Sequence, residues 1–418
     1  MNKSGIKRHC MIVHHPYPLA EPRVEREAQA LIRHGYEVDV ICLLHSPGES
    51  AFEVVEDVNV HRLPVRRDKQ RGILRQLLEY MSFLLLALVK VARLYQKRRY
   101  GVVEVHNLPD FLVFAAIWPK LMGARVILNI HDVMPEFYAA RFKSNRTSWI
   151  VRLVRLEERI SCRFADSVII TTHRWRNALV ERGVPARKIF VVMNLADERI
   201  FKQPATPRRH RGGEAFHVVY HGTITPRYGV DLAIHASARL RERIPGYRLF
   251  LVGRGEYREE AMKLVRELEL QSSVTFLDTK PLAELPSLIE QMDAGVTSYK
   301  FDGFTDGCLP TKLLEYTAMG IPSVVAPTPV ITDYFDESLV EFCAPEDPHD
   351  LAEHIYLLYS NPGRYNELAS NTARFNERYN WASMSAEYVR LVDRMNDSHH
   401  AFPRPSPPLT TRSRTKRE

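Results

Sequence analysis

The stretch from Asp306 to Pro327, DGCLPTKLLEYTAMGIPSVVAP, constrains this chain more than any other. It reads as loop, then helix, then strand. Pro310 suits the first helical position, where its missing N–H costs nothing, and Gly320 with Pro322 stops the helix. A helix of about three turns is expected. An apolar run, Ala294 to Tyr299, precedes it and another, Ser323 to Ala326, follows. The helix is therefore the expected crossover of a parallel βαβ unit. Open parallel sheets bind ligands outside the carboxyl ends of their strands, where helix N-termini gather N–H groups and partial positive charge suited to phosphate. Lys312 lies in the first turn and Glu315 three residues on, so both can address one ligand, the cation a phosphate and the carboxylate sugar hydroxyls. An ordinary ion pair at a solvated helix end is the alternative that this stretch alone leaves open.

The same residues resemble the signature of the retaining, family-four glycosyltransferases of the GT-B fold, in which a Glu after a short loop binds the nucleotide ribose. The resemblance implies that role for Glu315. Many members carry a carboxylate near the donor sugar eight residues earlier, where this chain has Gly307 with Asp306 beside it. Asp306, Gly307, Leu309 and Thr311 are accordingly donor-side candidates.

Bulk properties narrow the class. A chain of 418 residues is long enough for two domains, and 45% hydrophobic with 26% charged residues is ordinary for a soluble protein. Cys10, Cys42, Cys162, Cys308 and Cys343 are odd in number and scattered, which points to a reducing compartment and away from a disulfide framework or structural zinc. The apolar piece before His14 is too short for a signal peptide, and nothing approaches the roughly 20 apolar residues of a spanning helix. A cytoplasmic protein is expected, with contact at the inner face of a membrane as an additional expectation. The net charge of +8 suggests anionic company, in part from a basic tail at 398–418 whose Pro, Ser and Thr content reads as disordered. No nucleic-acid motif accompanies the charge; a membrane surface or a phosphorylated substrate fits better.

Taken in order, the chain opens β-α-β: a strand in 7–14, a helix from Arg23 to His34 stopped by Gly35, and a strand from Val38 to Leu44. The resemblance places the loop after the first strand at an interdomain cleft, which makes His14, His15 and Arg23 acceptor-side candidates; adjacent histidines are also ordinary polar loop residues. From Gly72 to Tyr95 the pattern is helical but apolar nearly all round in its middle. Such a helix is either packed in a core or, with Arg75, Lys90, Arg93 and the basic cluster behind it, bound at a membrane interface. Two further strands end in His106-Asn107 and His131-Asp132. In the resembled family a His at the second of these ends contacts the transferred sugar or the acceptor, which assigns a catalytic role to His131 and acceptor-side roles to His106, Asn107 and Asp132. A histidine that merely caps a strand by hydrogen bonds is the bland alternative. Asn194, Asp197 and Phe201 match the family's domain-ending segment, with Leu195 where Gly is common.

A polar linker, 203–214, separates this half from a second α/β unit. Its first strand ends at Gly222, and its second runs into Gly253-Arg254-Gly255. These glycines let backbone turn tightly or approach a ligand closely. In the resembled family the loop from Gly222 to Gly229 supplies an Arg and a Lys to the diphosphate; those places hold Thr223 and Tyr228, and Arg227 is the loop's cation. Arg227 and Lys312 together are expected to offset the diphosphate charge, with Gly222, Thr223, Gly253 and Gly255 around the donor.

The alternation of strands and helices argues for the α/β class independently. The resemblance adds a GT-B fold of two facing, doubly wound Rossmann-like domains: an acceptor-side domain at 1–202, a nucleotide-sugar domain at 215–380 and a helix at 381–397 that crosses back to the first. It implies transfer of a sugar from a nucleoside-diphosphate donor, UDP favoured, to a hydroxyl of a saccharide or lipid-linked acceptor in polysaccharide biosynthesis, with retention, no metal and no cofactor. Two rivals stay open, a nucleotide-sugar epimerase of the same fold and a non-catalytic nucleotide-sugar-binding subunit.

Overall fold

The computed structural model describes residues 6–18, 21–46, 48–65, 73–141, 148–210, 212–213 and 215–397; the basic tail and Gly72 lie outside them. Apolar runs bounded by Gly, Pro and polar residues become parallel strands buried on both faces. They form two sheets in two compact units. The first gathers the described residues up to Asn194 with those from Ser383 onward, and the second comprises Leu195–Ala382. The division thus falls ahead of the 203–214 linker.

In the first unit β1 (Arg8–Val13), α1 (Pro22–Arg33) and β2 (Glu37–Leu43) form the expected opening. A hairpin that the sequence reading did not anticipate follows, β3 (Phe52–Val55) and β4 (Val58–Leu63), with Glu56 and Asp57 at positive φ in its turn. Next come α2 (Ile73–Arg98), β5 (Val102–His106), a 3-10 segment Asp110–Ala116 running into α3 (Ile117–Leu121), β6 (Arg125–Ile130), α4 (Met134–Arg141), α5 (Trp149–Phe164), β7 (Ser167–Ile170), α6 (His173–Glu181) and β8 (Ile189–Val191). The sheet order is β3-β4-β2-β1-β5-β6-β7-β8, parallel except for the hairpin edge.

The second unit runs β9 (Phe216–His221), α7 (Val230–Arg243), β10 (Tyr247–Val252), α8 (Arg258–Glu267), β11 (Val274–Leu277), α9 (Leu285–Ile289), β12 (Ala294–Thr297), α10 (Thr311–Ala318), β13 (Ser323–Val325), α11 (Pro329–Tyr334), β14 (Glu341–Phe342), α12 (Pro348–Ser360) and α13 (Pro362–Arg378). Its sheet order is β11-β10-β9-β12-β13-β14. β12 and β13 pair in parallel, so α10 is the crossover expected from the sequence. It is shorter than expected, because Pro310 is extended at φ −66°, ψ 121° and caps the helix from outside.

The last helix, α14 (Trp381–Asn396), begins in the second unit and continues into the first. There Asp393 pairs with Lys7 at 2.7 Å and accepts from Tyr36 at 2.6 Å. Tyr388 donates to Glu104 Oε2 at 2.6 Å. Glu104 also lies 3.0 Å from His9 and accepts from Asn129 Nδ2 at 2.7 Å, and that amide reaches Glu27 as well. Burial and the neighbouring Glu104 push Glu27 above the usual carboxylate range; burial acts on Glu104 too, but the His9 contact, nearby His106 and the Tyr388 hydroxyl hold it down at about 2. The charge is thus favoured on Glu104 over Glu27, and the buried network draws on five elements, β1, α1, β5, β6 and α14.

Candidate functional site

In the second unit the site is built where β9 and β12 end. The loop after β9 begins at Gly222, at φ +111°, and a Cβ there would lie only 3.6 Å from Lys312 Cε. Lys312 is 4% exposed, and its Nζ has no hydrogen-bonding partner among the described residues. Three tyrosines surround it instead. Nζ sits 3.5 Å from the Tyr220 ring centroid and 5.4 Å from those of Tyr228 and Tyr299, which stack on each other at 4.4 Å. The ring faces supply a negative electrostatic surface in place of water. Burial nevertheless pushes the ammonium well below its ordinary pKa, against the opposing pull of Glu315. The Tyr220 hydroxyl donates to the Thr223 carbonyl at 2.6 Å, tying the cage to the loop.

Glu315 is one turn further along α10. Its Oε2 lies 3.0 Å from His221 Nε2, within ion-pair range but without hydrogen-bond alignment. The adjacent Tyr316 fixes the register, donating to the Val219 carbonyl at 3.1 Å and accepting from the His221 N–H at 3.3 Å. Its ring packs where a Cβ on Gly295 would come within 2.3 Å, so β12 needs glycine there.

The glycines expected around the donor bring loops together. A Cβ on Gly253 would meet the Gly222 carbonyl oxygen at 2.0 Å, and one on Gly255 the Ile224 carbonyl oxygen at 2.0 Å. Arg227, expected to help offset the diphosphate charge, pairs through its Nε with Asp302 Oδ2 at 2.9 Å, and its guanidinium lies over Phe304. Asp302 Oδ1 in turn accepts from the Phe304 and Thr305 N–H groups, each at 2.8 Å. Arg227 therefore anchors the turn that carries Asp306, Gly307 and Leu309 toward Thr311. Within that turn the N–H of Gly307 bonds the Phe304 carbonyl.

A second cluster occupies the strand ends of the first unit. His106 Nδ1 and His131 Nε2 are 3.0 Å apart, and His131 Nδ1 is 3.3 Å from Glu21 Oε1. Burial pushes His106 down to about 3, and burial with the Arg23 charge lowers His131 as well. Both shifts favour the neutral rings; a neutral His131 that donates its Nδ1–H to Glu21 would accept at Nε2 from His106 Nδ1–H. Glu21, in spite of its burial, is held down at about 2 by His131. Asn107 organises the same end, accepting from the His131 N–H at 2.7 Å and donating to the Asp132 carbonyl at 2.7 Å. Arg23 is 7% exposed, and its Nε and Nη1 have no hydrogen-bonding partner among the described residues. His14 stands apart, 3.2 Å from Glu79 and edge-on to Tyr80 and Phe83 beneath α2. His15 serves through its carbonyl, which accepts from the Leu43 N–H.

Among the described residues, Glu27, Glu104 and His106 offer metal-type ligand atoms within 4.8 Å of one another, but these side chains are fully buried and belong to the network under α14. Sequence reasoning missed Glu21, His221 and the tyrosine cage. Tyr220 and His221 close the strand VVYHG and carried a signal in their position; Glu21, in a Pro-rich loop, carried none.

Known proteins bear on this arrangement. Residues 20–194 match the model of the glycosyl transferase 4-like domain and residues 205–375 that of glycosyl transferases group 1. A chitobiosyldiphosphodolichol beta-mannosyltransferase of Candida glabrata is 24% identical over 407 residues, covering 89% of this chain and 88% of that protein. Among solved structures, sucrose-phosphate synthase from Thermosynechococcus elongatus superposes with a TM-score of 0.75 at 17% identity, over 94% of this chain and 100% of the other. The Anabaena protein HepE in complex with UDP gives 0.65 at 16% identity, over 92% and 99%. With two Rossmann-like sheets of the GT-B type and a matching model on each half, the chain belongs to the family-four glycosyltransferases.

Proposed function

We propose that this glycosyltransferase takes its sugar from a nucleoside-diphosphate donor, UDP favoured, bound on the second unit, and passes it to a hydroxyl of a lipid-linked saccharide with retention of anomeric configuration. The observation that carries the reading is Lys312: a buried amine without a hydrogen-bonding partner among the described residues, held at the N-terminal turn of α10 with Glu315 one turn on. A diphosphate leaving group develops charge as the glycosidic bond breaks, and a fixed cation in a poorly hydrated cage stabilises that charge more than it stabilises the ground state. Glu315 is the partner for ribose hydroxyls. Asp306, Gly307, Leu309 and Thr311 line the donor side, and Gly253 and Gly255 shape it by bringing two loops together. Arg227 acts by anchoring the turn through Asp302. His131, aligned by His106 and Glu21, addresses the transferred sugar or the acceptor, with Arg23, Asn107 and Asp132 at the same strand ends. The UDP complex of HepE supports the choice of nucleotide, and the diphosphodolichol in the Candida relative's name supports a lipid-linked acceptor.

The reading assigns the charge compensation to protein groups, so metal independence is part of the proposal. Calorimetric titration with UDP, GDP and ADP, each with and without EDTA and beside Glu315→Ala, tests it. Micromolar binding of one nucleotide, indifferent to EDTA and weakened in the variant, is the expected result. Nucleotide affinity untouched by Glu315→Ala overturns the placement of the site. Incubation of the sugar nucleotide without acceptor separates transfer from epimerisation, and the anomeric coupling constant of the product reports retention.

A further inference from the structure

The apolar pattern of α2 has its outlet on the surface. Phe83, Ala87, Val91 and Tyr95 face the core of the first unit, while the opposite stripe, with Leu74 at 73% and Leu85 at 60% exposure, is uncovered. The same holds for the two helices beside it. On α3, Leu121 is 70% exposed and Trp118 accompanies it; on α5, Trp149 is 73% exposed and is followed by Leu153, Leu156 and Ile160. Hydrogen bonds link these helices in series. The Tyr95 hydroxyl of α2 donates to the Met122 carbonyl just after α3 at 3.0 Å, and Lys120 of α3 donates to the Phe164 carbonyl at the end of α5 at 2.8 Å. Runs of exposed apolar side chains on three linked helices are more than the single scattered ones of an ordinary monomer surface.

Charge selects what covers it. Among the described residues of α2, α3 and α5, every exposed charged side chain is basic: Arg75, Arg93, Lys97, Arg152, Arg159 and Arg163. The acids on these helices, Glu79, Glu157 and Glu158, are partly or fully buried. A second copy of the same face would set like charges against each other, and the sequence 398–418 is basic as well. Leucines for the acyl boundary, two tryptophans for the interface and arginines for the headgroups are the composition of a surface that lies in an anionic bilayer. We infer that the face formed by α2, α3 and α5 docks the protein on an anionic membrane surface without crossing it. No helix among the described residues is long and apolar enough to cross a membrane. The inference rests on the first unit alone and is independent of the donor reading.

Co-sedimentation of the full chain with vesicles of phosphatidylcholine, with and without about 30% phosphatidylglycerol, tests it. Binding to the anionic vesicles at least roughly tenfold tighter than to the neutral ones, weakening as salt is raised, is expected. The double substitution Leu78→Asp with Leu85→Asp, at exposed positions, should reduce it by roughly tenfold or more, and Arg152→Gln with Arg159→Gln should abolish the preference for anionic lipid. Unchanged circular dichroism and unchanged UDP titration in both variants keep this outcome apart from failure of the donor site. No binding to anionic vesicles, equal binding of the variants, or a stable dimer that the leucine substitutions dissolve would overturn the inference.

Discussion

Lys312 Nζ stands 3.5 Å from the centre of the Tyr220 ring, with no hydrogen-bonding partner among the described residues. An ammonium so placed costs folding free energy and gains interaction energy when an anion reaches it. Lys312→Met keeps the volume and removes the charge. Turnover should fall by about 10²- to 10³-fold, the range for a lost transition-state charge contact, while stability rises by about 1 kcal/mol or more. Steady-state kinetics beside chemical denaturation check both signs; loss of stability would mean that Lys312 is structural.

Proton linkage gives a second outcome. Burial depresses the Lys312 pKa in the free protein, and a bound diphosphate raises it again. Binding is therefore accompanied by proton uptake, and affinity falls as pH rises through the free-protein pKa. Titration of UDP at about pH 8 and pH 9, above the last phosphate ionisation, in buffers of different ionisation enthalpy measures the uptake directly. Proton release on binding would contradict it.

Glu315→Ala should weaken nucleotide binding by roughly tenfold, about 1.4 kcal/mol, through lost bonds to ribose hydroxyls. A 2′-deoxy nucleotide, which has lost one of those hydroxyls, should show a smaller difference between parent and variant than the ribonucleotide, and that double difference is the quantity to measure.

Gly229 sits at φ +67°, where an added Cβ would fall 1.8 Å from the Ser298 carbonyl oxygen. Gly229→Ala should cost about 2 kcal/mol or more and displace Tyr228 from its stack on Tyr299. A shifted denaturation midpoint with an unchanged slope is the expected signature.

In the first unit Tyr388→Phe removes one of the bonds that hold Glu104 ionised. A loss of about 1 to 2 kcal/mol is expected at neutral pH. The Glu104 pKa is depressed in the folded protein, so its contribution is present above the ordinary carboxylate pKa and is lost as pH falls toward about 2. The deficit of the variant, followed by denaturation between about pH 7 and pH 3, should shrink over that range.

The parallel strands, the crossover at α10 and the strand-end histidines were legible because each depends on a local pattern: apolar runs, a Pro and Gly pair, polarity rising at a strand end. The partners were not. Arg227 reads as a loop cation until Asp302, distant in sequence, is seen to hold it. Tyr228 stands where the resembled family has a lysine, and only the fold shows it stacked on Tyr299 beside Lys312. The hairpin β3–β4 escaped because its turn uses Glu56 and Asp57 rather than glycine. The setting of α2 could not be read because an apolar helix has the same sequence whether its outer face meets protein or lipid.

The return of α14 to the first unit has a consequence for the order of synthesis. Glu104 emerges from the ribosome long before Tyr388, and until that tyrosine arrives the β5 carboxylate lacks one of its hydrogen bonds. The second unit, Leu195 to Ala382, is complete in the growing chain first, although it begins later. The N-terminal half reaches its final packing only once α14 has been made, and a chain cut short after residue 380 would yield a first unit that lacks the Tyr388 bond to Glu104.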